Sequence, residues 1–278
     1  MTRSPSPSQA AAPLPAAPLP AAPLPAAPAV PAPRPSSRSS TVAWRADPYA
    51  TALRTGRGPL FLRRADGWLL PLDVERWCAG ADSSDMSVLR RCEGSVLDIG
   101  CGPGRLVAAL AAMGRVSLGI DVSPAAVART VGEGGQALRR SVFDPLPGEG
   151  RWGTALLIDG NIGIGGDPRA LLERVAAIVA PGGLALVEAA PGDLDERVRV
   201  RIDDGRGTAA SGTVAVPAAR GLRTAACADT DFPWARVGIA ALHREARAAG
   251  WSPAGQWTHT GRPFTALRRD GGGAGRSV

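Results

Sequence analysis

Residues 95–106 read Ser-Val-Leu-Asp-Ile-Gly-Cys-Gly-Pro-Gly-Arg-Leu, and this stretch decides the fold of the chain. It begins with a short apolar run that contains one acid, continues with glycines at alternate positions, and leads into an alanine-rich helical pattern that Gly114 ends. This order predicts a strand, a tight turn and a helix. Glycine lets the turn adopt positive φ or approach a ligand closely, and the helix presents unpaired N–H groups at its start.

The spacing of the glycines separates two kinds of cofactor turn. A dinucleotide-binding turn has the pattern G-x-G-x-x-G, which would require a third glycine where the chain has Arg105. The chain has G-x-G-x-G at Gly100, Gly102 and Gly104, with Asp98 two residues before the first glycine. This pattern resembles the first motif of the class I S-adenosylmethionine-dependent methyltransferases. A glycine turn in an unrelated α/β protein is the alternative interpretation.

A second acid supports the resemblance. Residues 116–120 are mostly apolar and predict the next strand, and Asp121 follows that strand about one strand–helix–strand unit after Asp98. A carboxylate at this strand end can accept hydrogen bonds from both hydroxyl groups of a ribose. The two acids and the glycine turn therefore point to the same cofactor.

Two later strand ends carry further candidate residues. Residues 137–143 predict a third strand, and the resemblance implies that Phe143 and Asp144 meet the adenine; for Asp144, capping of the loop before a proline is the alternative. Residues 154–158 predict a fourth strand that leads into a glycine-rich segment. The resemblance implies that this strand end passes the reactive methyl group, close to Asp159 and Asn161. A loop that only caps the next helix is the competing interpretation.

The resemblance thus implies an S-adenosyl-L-methionine site at the carboxyl ends of the first, second and fourth strands. It names no catalytic base, and the sequence indicates no metal site. The implied cofactor-binding residues are Asp98, Gly100, Cys101, Gly102, Gly104, Asp121, Val122, Phe143, Asp144, Asp159 and Asn161.

The predicted fold is α/β: a Rossmann-like, seven-stranded, mostly parallel sheet with helices on both faces and an antiparallel last strand. The resemblance covers about residues 95–269. An amphipathic helix over 168–180 is followed by Pro-Gly-Gly and a strand over 184–188, and a helix is predicted over 235–249. His243 on this last helix is predicted to be a surface residue. Residues 251–260 and 262–268 predict the final antiparallel pair.

The rest of the chain predicts flanking segments. Residues 1–40 repeat Ala-Ala-Pro-Leu-Pro three times and predict a disordered tail, with a ligand for a proline-binding protein as the weaker alternative. Residues 41–94 predict a helical cap segment, and residues 191–234 an insertion or substrate lid. Within the latter, residues 197–202 alternate as a half-buried strand does. Residues 270–278 predict a second disordered tail.

Composition excludes several function classes. The 32 basic residues are all arginine and are scattered, so the net charge of +7 is weak evidence for a nucleic-acid partner. The four cysteines show no C-x-x-C spacing, which argues against a zinc site or redox pair. No apolar run approaches the ~20 residues that a membrane span needs, and no hydrophobic signal core begins the chain. A soluble, cytoplasmic protein with reduced thiols is expected.

The expected function is methyl transfer to an unidentified acceptor, with a small molecule as the default. Positions 159–162 lack the Asn/Asp-Pro-Pro-aromatic motif of methyltransferases that act on exocyclic base amines, and no cysteine follows a proline. A protein that binds S-adenosylmethionine without transferring methyl is one alternative, and a nucleic-acid methyltransferase is another. Tyr49, Trp68 and Trp77 are candidates for an acceptor pocket or for core packing, and Arg201 for an anionic substrate or a solvated strand face.

Overall fold

The computed structural model describes residues 47–206 and 231–271. The predictions made for residues 1–40 and for the end of the second tail lie outside the described residues, as does Cys227. None of the helices in the described ranges combines the length and the apolar character that crossing a bilayer requires.

Helices and strands alternate along most of the described chain. The helices are α1 (Asp47–Thr55), α2 (Val74–Cys78), α3 (Ser83–Leu89), α4 (Arg105–Ala112), α5 (Pro124–Gly132), α6 (Pro168–Ile178) and α7 (Ile239–Ala248). The strands are β1 (Phe61–Arg63), β2 (Leu69–Pro71), β3 (Val96–Ile99), β4 (Ser117–Asp121), β5 (Ala137–Arg139), β6 (Trp152–Leu157), β7 (Val179–Glu188), β8 (Asp195–Asp203), β9 (Phe232–Val237), β10 (Trp251–His259) and β11 (Arg262–Arg269).

The main sheet has seven strands in the order β10-β11-β7-β6-β3-β4-β5. The strands from β7 to β5 are parallel, whereas β11 is antiparallel to both β7 and β10. The predicted seven-stranded, mostly parallel sheet with an antiparallel last strand is therefore confirmed. The strand β3 lies inside this sheet and is buried along its whole length, so the glycine turn that follows it emerges at the centre of the carboxyl edge.

Apolar residues cover both faces of the main sheet, as parallel strands require. Along β6, Leu157 faces a cluster completed by α6 and α7, and Leu156 faces a second cluster completed by α3 and α4. The same alternation holds for Leu97 and Val96 on β3. Because both faces are buried, the strand ends are the part of the sheet left for a ligand.

A second, four-stranded antiparallel sheet has the order β2-β1-β8-β9. It joins β1 and β2 of the predicted cap segment to β8 and β9. The strand predicted over 197–202 is confirmed within β8, but the sequence did not indicate its pairing with the cap segment. Its apolar face is formed by Leu62, Val200, Phe232 and Trp234.

Three local predictions are corrected by the structure. The helix predicted from residue 235 begins at Ile239, because residues 232–237 pair with β8 as β9. The third strand is short and ends at Arg139. The Pro-Gly-Gly segment lies inside β7, where the register opposite β6 shifts between Trp152 and Thr154. A bulge of this kind accommodates extra residues on one strand.

His243 is half-buried rather than exposed, which corrects the predicted surface position. Its Nε2 lies 2.9 Å from the hydroxyl of Thr265, a buried residue of β11. Burial lowers the pKa of this imidazole, so the neutral form is favoured in the fold.

Gly163 holds the second sheet against the main domain, and we predict that Gly163→Ala destabilises the protein. An added Cβ would lie 2.2 Å from the carbonyl oxygen of Ala235, a backbone atom of β9 that cannot swing away. Overpacking of this kind costs about 1–3 kcal/mol. Urea unfolding measures the loss, with Gly255→Ala as the matched control because an added Cβ there meets nothing within 4 Å. Equal unfolding midpoints for the two variants would contradict this account of the contact.

Candidate functional site

The glycine turn after β3 is tightly packed at two of its glycines and less tightly packed at the third. A Cβ at Gly100 would lie 2.7 Å from the Asn161 side chain, and a Cβ at Gly104 would lie 2.5 Å from Thr130. Gly102 differs, because its φ is +54° and the nearest atom to an added Cβ is the Tyr49 hydroxyl at 3.9 Å. Gly102 is buried beneath Tyr49, and its backbone carries no side chain that would keep a ligand at a distance.

Asp121 fixes the shape of this turn from the end of β4. One carboxylate oxygen accepts a hydrogen bond from the Gly102 N–H at 3.0 Å, and the other accepts from the Ser123 N–H at 2.8 Å. Burial nevertheless raises the pKa of Asp121 to about 6. Each carboxylate oxygen has a second lone pair, so the group can still accept hydrogen bonds from a ligand.

Asp98 carries an unpartnered polar atom beneath the turn. The residue is 2% exposed, and its Oδ2 has no hydrogen-bond partner among the described residues. Burial raises the pKa of Asp98 to about 7, although the guanidinium of Arg105 opposes this effect. A buried carboxylate without a partner is a costly arrangement that a cationic ligand would relieve.

Asn161 ties the loop after β6 to the glycine turn. Its Nδ2 donates hydrogen bonds to the carbonyl oxygens of Ile99 at 2.8 Å and Gly100 at 3.0 Å. The structure thus gives the Asn161 amide a positioning task at the end of β3.

Asp159 adopts a positive φ of 58° and is held by three arginines. Its Oδ2 lies 2.7 Å from Arg105, and its Oδ1 lies 2.5 Å from Arg76 and 3.2 Å from Arg262. Burial on its own would raise the pKa of Asp159, but the charges of Arg105 and Arg76 hold it below its usual range. The Asp159 N–H donates to Glu188 at 2.8 Å, which fixes the backbone as well.

These contacts belong to a larger group that we call the ion cluster: Arg76, Arg105, Arg262, Asp85, Asp159 and Glu188. Arg105 binds Asp85 through two hydrogen bonds of 2.9 and 3.0 Å. Arg262 also forms a bidentate pair: its Nε and Nη2 donate to the two carboxylate oxygens of Glu188 at 2.8 and 2.7 Å. Although Asp85 is buried, its bonds to Arg105 lower its pKa to about 2.

Sequence reasoning missed most of the ion cluster. It singled out Asp159 but not its partners, which come from α2, α3, α4, β7 and β11. One local feature of the sequence indicated the cluster: Arg105 is the first residue of a helix whose other buried residues are apolar. In the structure, Arg105 is only 6% exposed. A charged residue in that position requires a buried partner.

The cap segment covers the glycine turn directly. Tyr49 on α1 is 5% exposed and packs with Leu53, Leu60 and Val74. From α5, Arg129 donates hydrogen bonds to the carbonyl oxygens of Leu53 at 2.6 Å and Cys78 at 3.4 Å. This arginine fastens the C-terminal ends of α1 and α2 to the main domain.

The remaining candidate residues lie around the same edge. Cys101 is buried, with its sulfur against Gly119, and burial raises the pKa of its thiol. Val122 is half-buried after β4. Phe143 is half-buried, with its ring beside Gly165. Asp144 is exposed and accepts a hydrogen bond from the Ser141 N–H at 3.1 Å, which is a turn-capping arrangement.

The two tryptophans that were candidates for an acceptor pocket lie in different surroundings. Trp68 directly precedes β2 of the second sheet, and the guanidinium of Arg236 stands 5.0 Å from its ring. Trp77 packs against the Tyr49 cluster, and its Nε1 has no hydrogen-bond partner in the described ranges.

Arg201, the candidate for an anionic substrate, lies opposite Arg63 on the neighbouring strand. Among the described residues, no group of histidine, cysteine and acidic side chains is arranged to hold a metal ion.

Comparison with known proteins identifies the class to which this fold and site belong. Residues 78–232 match the family model described as a methyltransferase domain, which covers more than half of the chain. The chain belongs to the class I S-adenosylmethionine-dependent methyltransferases, as its glycine turn predicts. The comparison with curated proteins finds no match.

Solved structures agree on the fold. A Bacteroides fragilis S-adenosylmethionine-dependent methyltransferase, solved with S-adenosyl-L-homocysteine, aligns with a TM-score of 0.60 at 16% identity over 85% of this chain and 97% of that one. A Burkholderia thailandensis 1,6-didemethyltoxoflavin-N1-methyltransferase aligns with a TM-score of 0.55 at 17% identity over 87% and 93%. At these identities the similarity establishes the fold alone.

The residues at the turn fit S-adenosylmethionine, the methyl donor of this family. The Gly102 backbone carries no side chain that would keep a ligand away, and the Oδ2 of Asp98, which has no partner among the described residues, suits a positively charged group. Asp121 adds acceptor capacity beside both.

Tyr49 is the only tyrosine of the chain, so its ionisation can be followed in the intact protein. Burial, together with the nearby charge of Asp121, raises its pKa well above the ordinary value of 10.0. The folded state therefore favours the protonated phenol, and stability falls as the pH rises above about 10. We predict that tyrosinate absorbance stays absent in native protein until it unfolds, whereas urea-unfolded protein titrates near 10. Native titration near 10 would place Tyr49 in solvent.

Proposed function

We propose that this methyltransferase transfers a methyl group from S-adenosylmethionine to a small-molecule acceptor that binds beneath the cap segment. One observation carries the proposal: the side-chain-free backbone of Gly102 lies beneath Tyr49, with Asp121 fixing the turn and an Asp98 Oδ2 that has no partner among the described residues. This combination suits a ligand that carries a positive charge and vicinal hydroxyls at one end of the sheet.

The proposed roles of the residues follow from their partners. Asp98 accepts from the ammonium group of the donor, since its Oδ2 lacks any other partner. Asp121 accepts from the ribose hydroxyls with the lone pairs that its backbone bonds leave free. Val122 and Phe143 lie near the adenine. Asp159 and Asn161 shape the turn from the β6 side, since their side chains are already engaged.

When bound, the donor supplies a methyl group on a sulfonium, and the chain's own residues position the reactants and exclude water. An in-line displacement gains most of its rate from such positioning. The acidic groups of the ion cluster are committed to arginines, and the pKa values of Asp85 and Asp159 are lowered. They are therefore unsuited to removing a proton from the acceptor at neutral pH. We propose an acceptor atom that is nucleophilic without a protein base.

Apolar cover on the acceptor side supports a small molecule. Leu72 and Ile202 pack against both the Tyr49 cluster and the apolar face of the second sheet, so the cap segment and that sheet form one continuous surface. The Burkholderia thailandensis neighbour is named for N1-methylation of 1,6-didemethyltoxoflavin, a small molecule.

Two exposed arginine pairings weigh against a nucleic-acid acceptor at their positions. Arg197 pairs with Glu245 and Arg268 pairs with Glu93, so these side chains are neutralised locally. A nucleic-acid surface needs arginines that are available to phosphates.

Gly102 provides the test of the donor site. We predict that Gly102→Val abolishes binding of S-adenosylmethionine and S-adenosylhomocysteine, because the branched side chain would occupy the position over the turn that the proposal assigns to the donor. Gly114→Val is the matched control: its φ of +70° gives similar backbone strain, and an added Cβ there meets nothing within 4 Å. Calorimetric titration of both folded variants measures the difference. Tight binding by the Gly102 variant would refute the assignment of this turn.

The raised pKa of Asp98, about 7, predicts a pH dependence of binding. An ammonium group binds the ionised carboxylate, so donor binding below pH about 7 should release a proton, and affinity should rise as the pH approaches 7. Calorimetry in two buffers with different ionisation enthalpies measures the released proton. Asp98→Asn should reduce the release, with Asp121 accounting for the remainder. Heats that do not depend on the buffer would show that Asp98 does not ionise on binding.

A further inference from the structure

One nitrogen in the ion cluster lacks a partner. Arg76 uses its Nε to bind Asp73 at 3.0 Å and its Nη2 to bind Asp159 at 2.5 Å. Its Nη1 is buried and makes no hydrogen bond to any described residue; the nearest carboxylate oxygen, on Asp85, is 4.0 Å away. A buried guanidinium N–H without an acceptor is unfavourable, so this position suits an anionic ligand.

The Arg76 Nη1 and the Asp98 Oδ2, two buried atoms without a hydrogen bond among the described residues, are linked through the same carboxylates. Arg76 contacts Asp159 and approaches Asp85, and both of these carboxylates also act on the charge of Asp98. A ligand that satisfies both positions must carry an ammonium and a carboxylate. Those two groups together form the free end of an α-amino acid, and S-adenosylmethionine carries such an end.

We propose that Arg76 binds the carboxylate of the donor's amino-acid end through Nη1, which makes this cap-segment residue a determinant of donor specificity. The inference rests on the proposed function, because it assumes that the donor occupies the space over Gly102. Arg76 is tied to the end of the glycine turn through Asp159, which binds both Arg76 and Arg105, the first residue of α4. The cap segment then contributes to the donor site as well as covering the acceptor.

The experiment compares two donors that differ in one group. Decarboxylated S-adenosylmethionine keeps the adenosine, the sulfonium and the amine but lacks the carboxylate. Wild-type protein should bind S-adenosylmethionine at least about tenfold more tightly than the decarboxylated compound, as a charged hydrogen bond implies. Arg76→Gln should lose this factor for S-adenosylmethionine and leave the affinity for the decarboxylated compound unchanged.

Two further variants separate recognition from structure. Arg90→Gln removes an exposed arginine of the same cap segment and should keep the wild-type preference. Arg76→Lys keeps the charge and should retain part of the preference for the carboxylate. If Arg76→Gln fails to fold, the affinities of wild-type protein for the two donors still test the proposal.

The outcomes are distinct. Equal affinity of wild-type protein for the two donors overturns the role of Arg76 in donor binding. The proposed function remains intact in that case. The same result is expected if Arg76 binds a carboxylate of the acceptor instead of the donor. An equal loss of affinity for both donors in folded Arg76→Gln also overturns it, because Arg76 would then act only through Asp159. Failure of wild-type protein to bind S-adenosylmethionine or S-adenosylhomocysteine refutes the proposed function itself.

Discussion

The pairing of Arg105 with Asp85 and Asp159 is the interaction on which the site depends. Arg105 is the first residue of α4, directly after the glycine turn, and only 4% of its side chain is exposed. Its guanidinium joins a cap helix to the loop after β6. Removing one member of such a buried pair leaves an uncompensated charge, which costs about 3–5 kcal/mol. The turn, the cap segment and the β6 loop are therefore held in one arrangement.

The acidic residues around the turn fall into two electrostatic groups. Asp85 and Asp159 face guanidinium groups, and their pKa values are lowered. Asp98 and Asp121 are also buried, but no arginine among the described residues forms an ion pair with either side chain, and their pKa values rise to about 7 and about 6. The fold thus balances the charges of Asp85 and Asp159 with arginines. Asp98 and Asp121 keep carboxylate oxygens that can accept hydrogen bonds from a ligand.

The second sheet explains how the cap segment stays in place. The strands β1 and β2 belong to the cap, yet β1 pairs with β8, far away in the chain. The sheet is anchored to the main domain at Gly163 and Ile164, where β9 meets the loop that follows Asp159 and Asn161. The proposed donor and acceptor sides therefore share a structural support.

The sequence alone determined the main sheet and the glycine turn, because apolar periodicity and glycine spacing are local signals. It also located Asp98 and Asp121, since strand ends follow from those patterns. Only the tertiary structure decided the ion cluster, the joining of β1 to β8, and the strand over 232–237, of which residues 235–237 were predicted as helix. These features arise from contacts between residues distant in the chain. Such contacts leave no periodic trace in sequence, and pairing with β8 outweighs the local helical preference of residues 235–237.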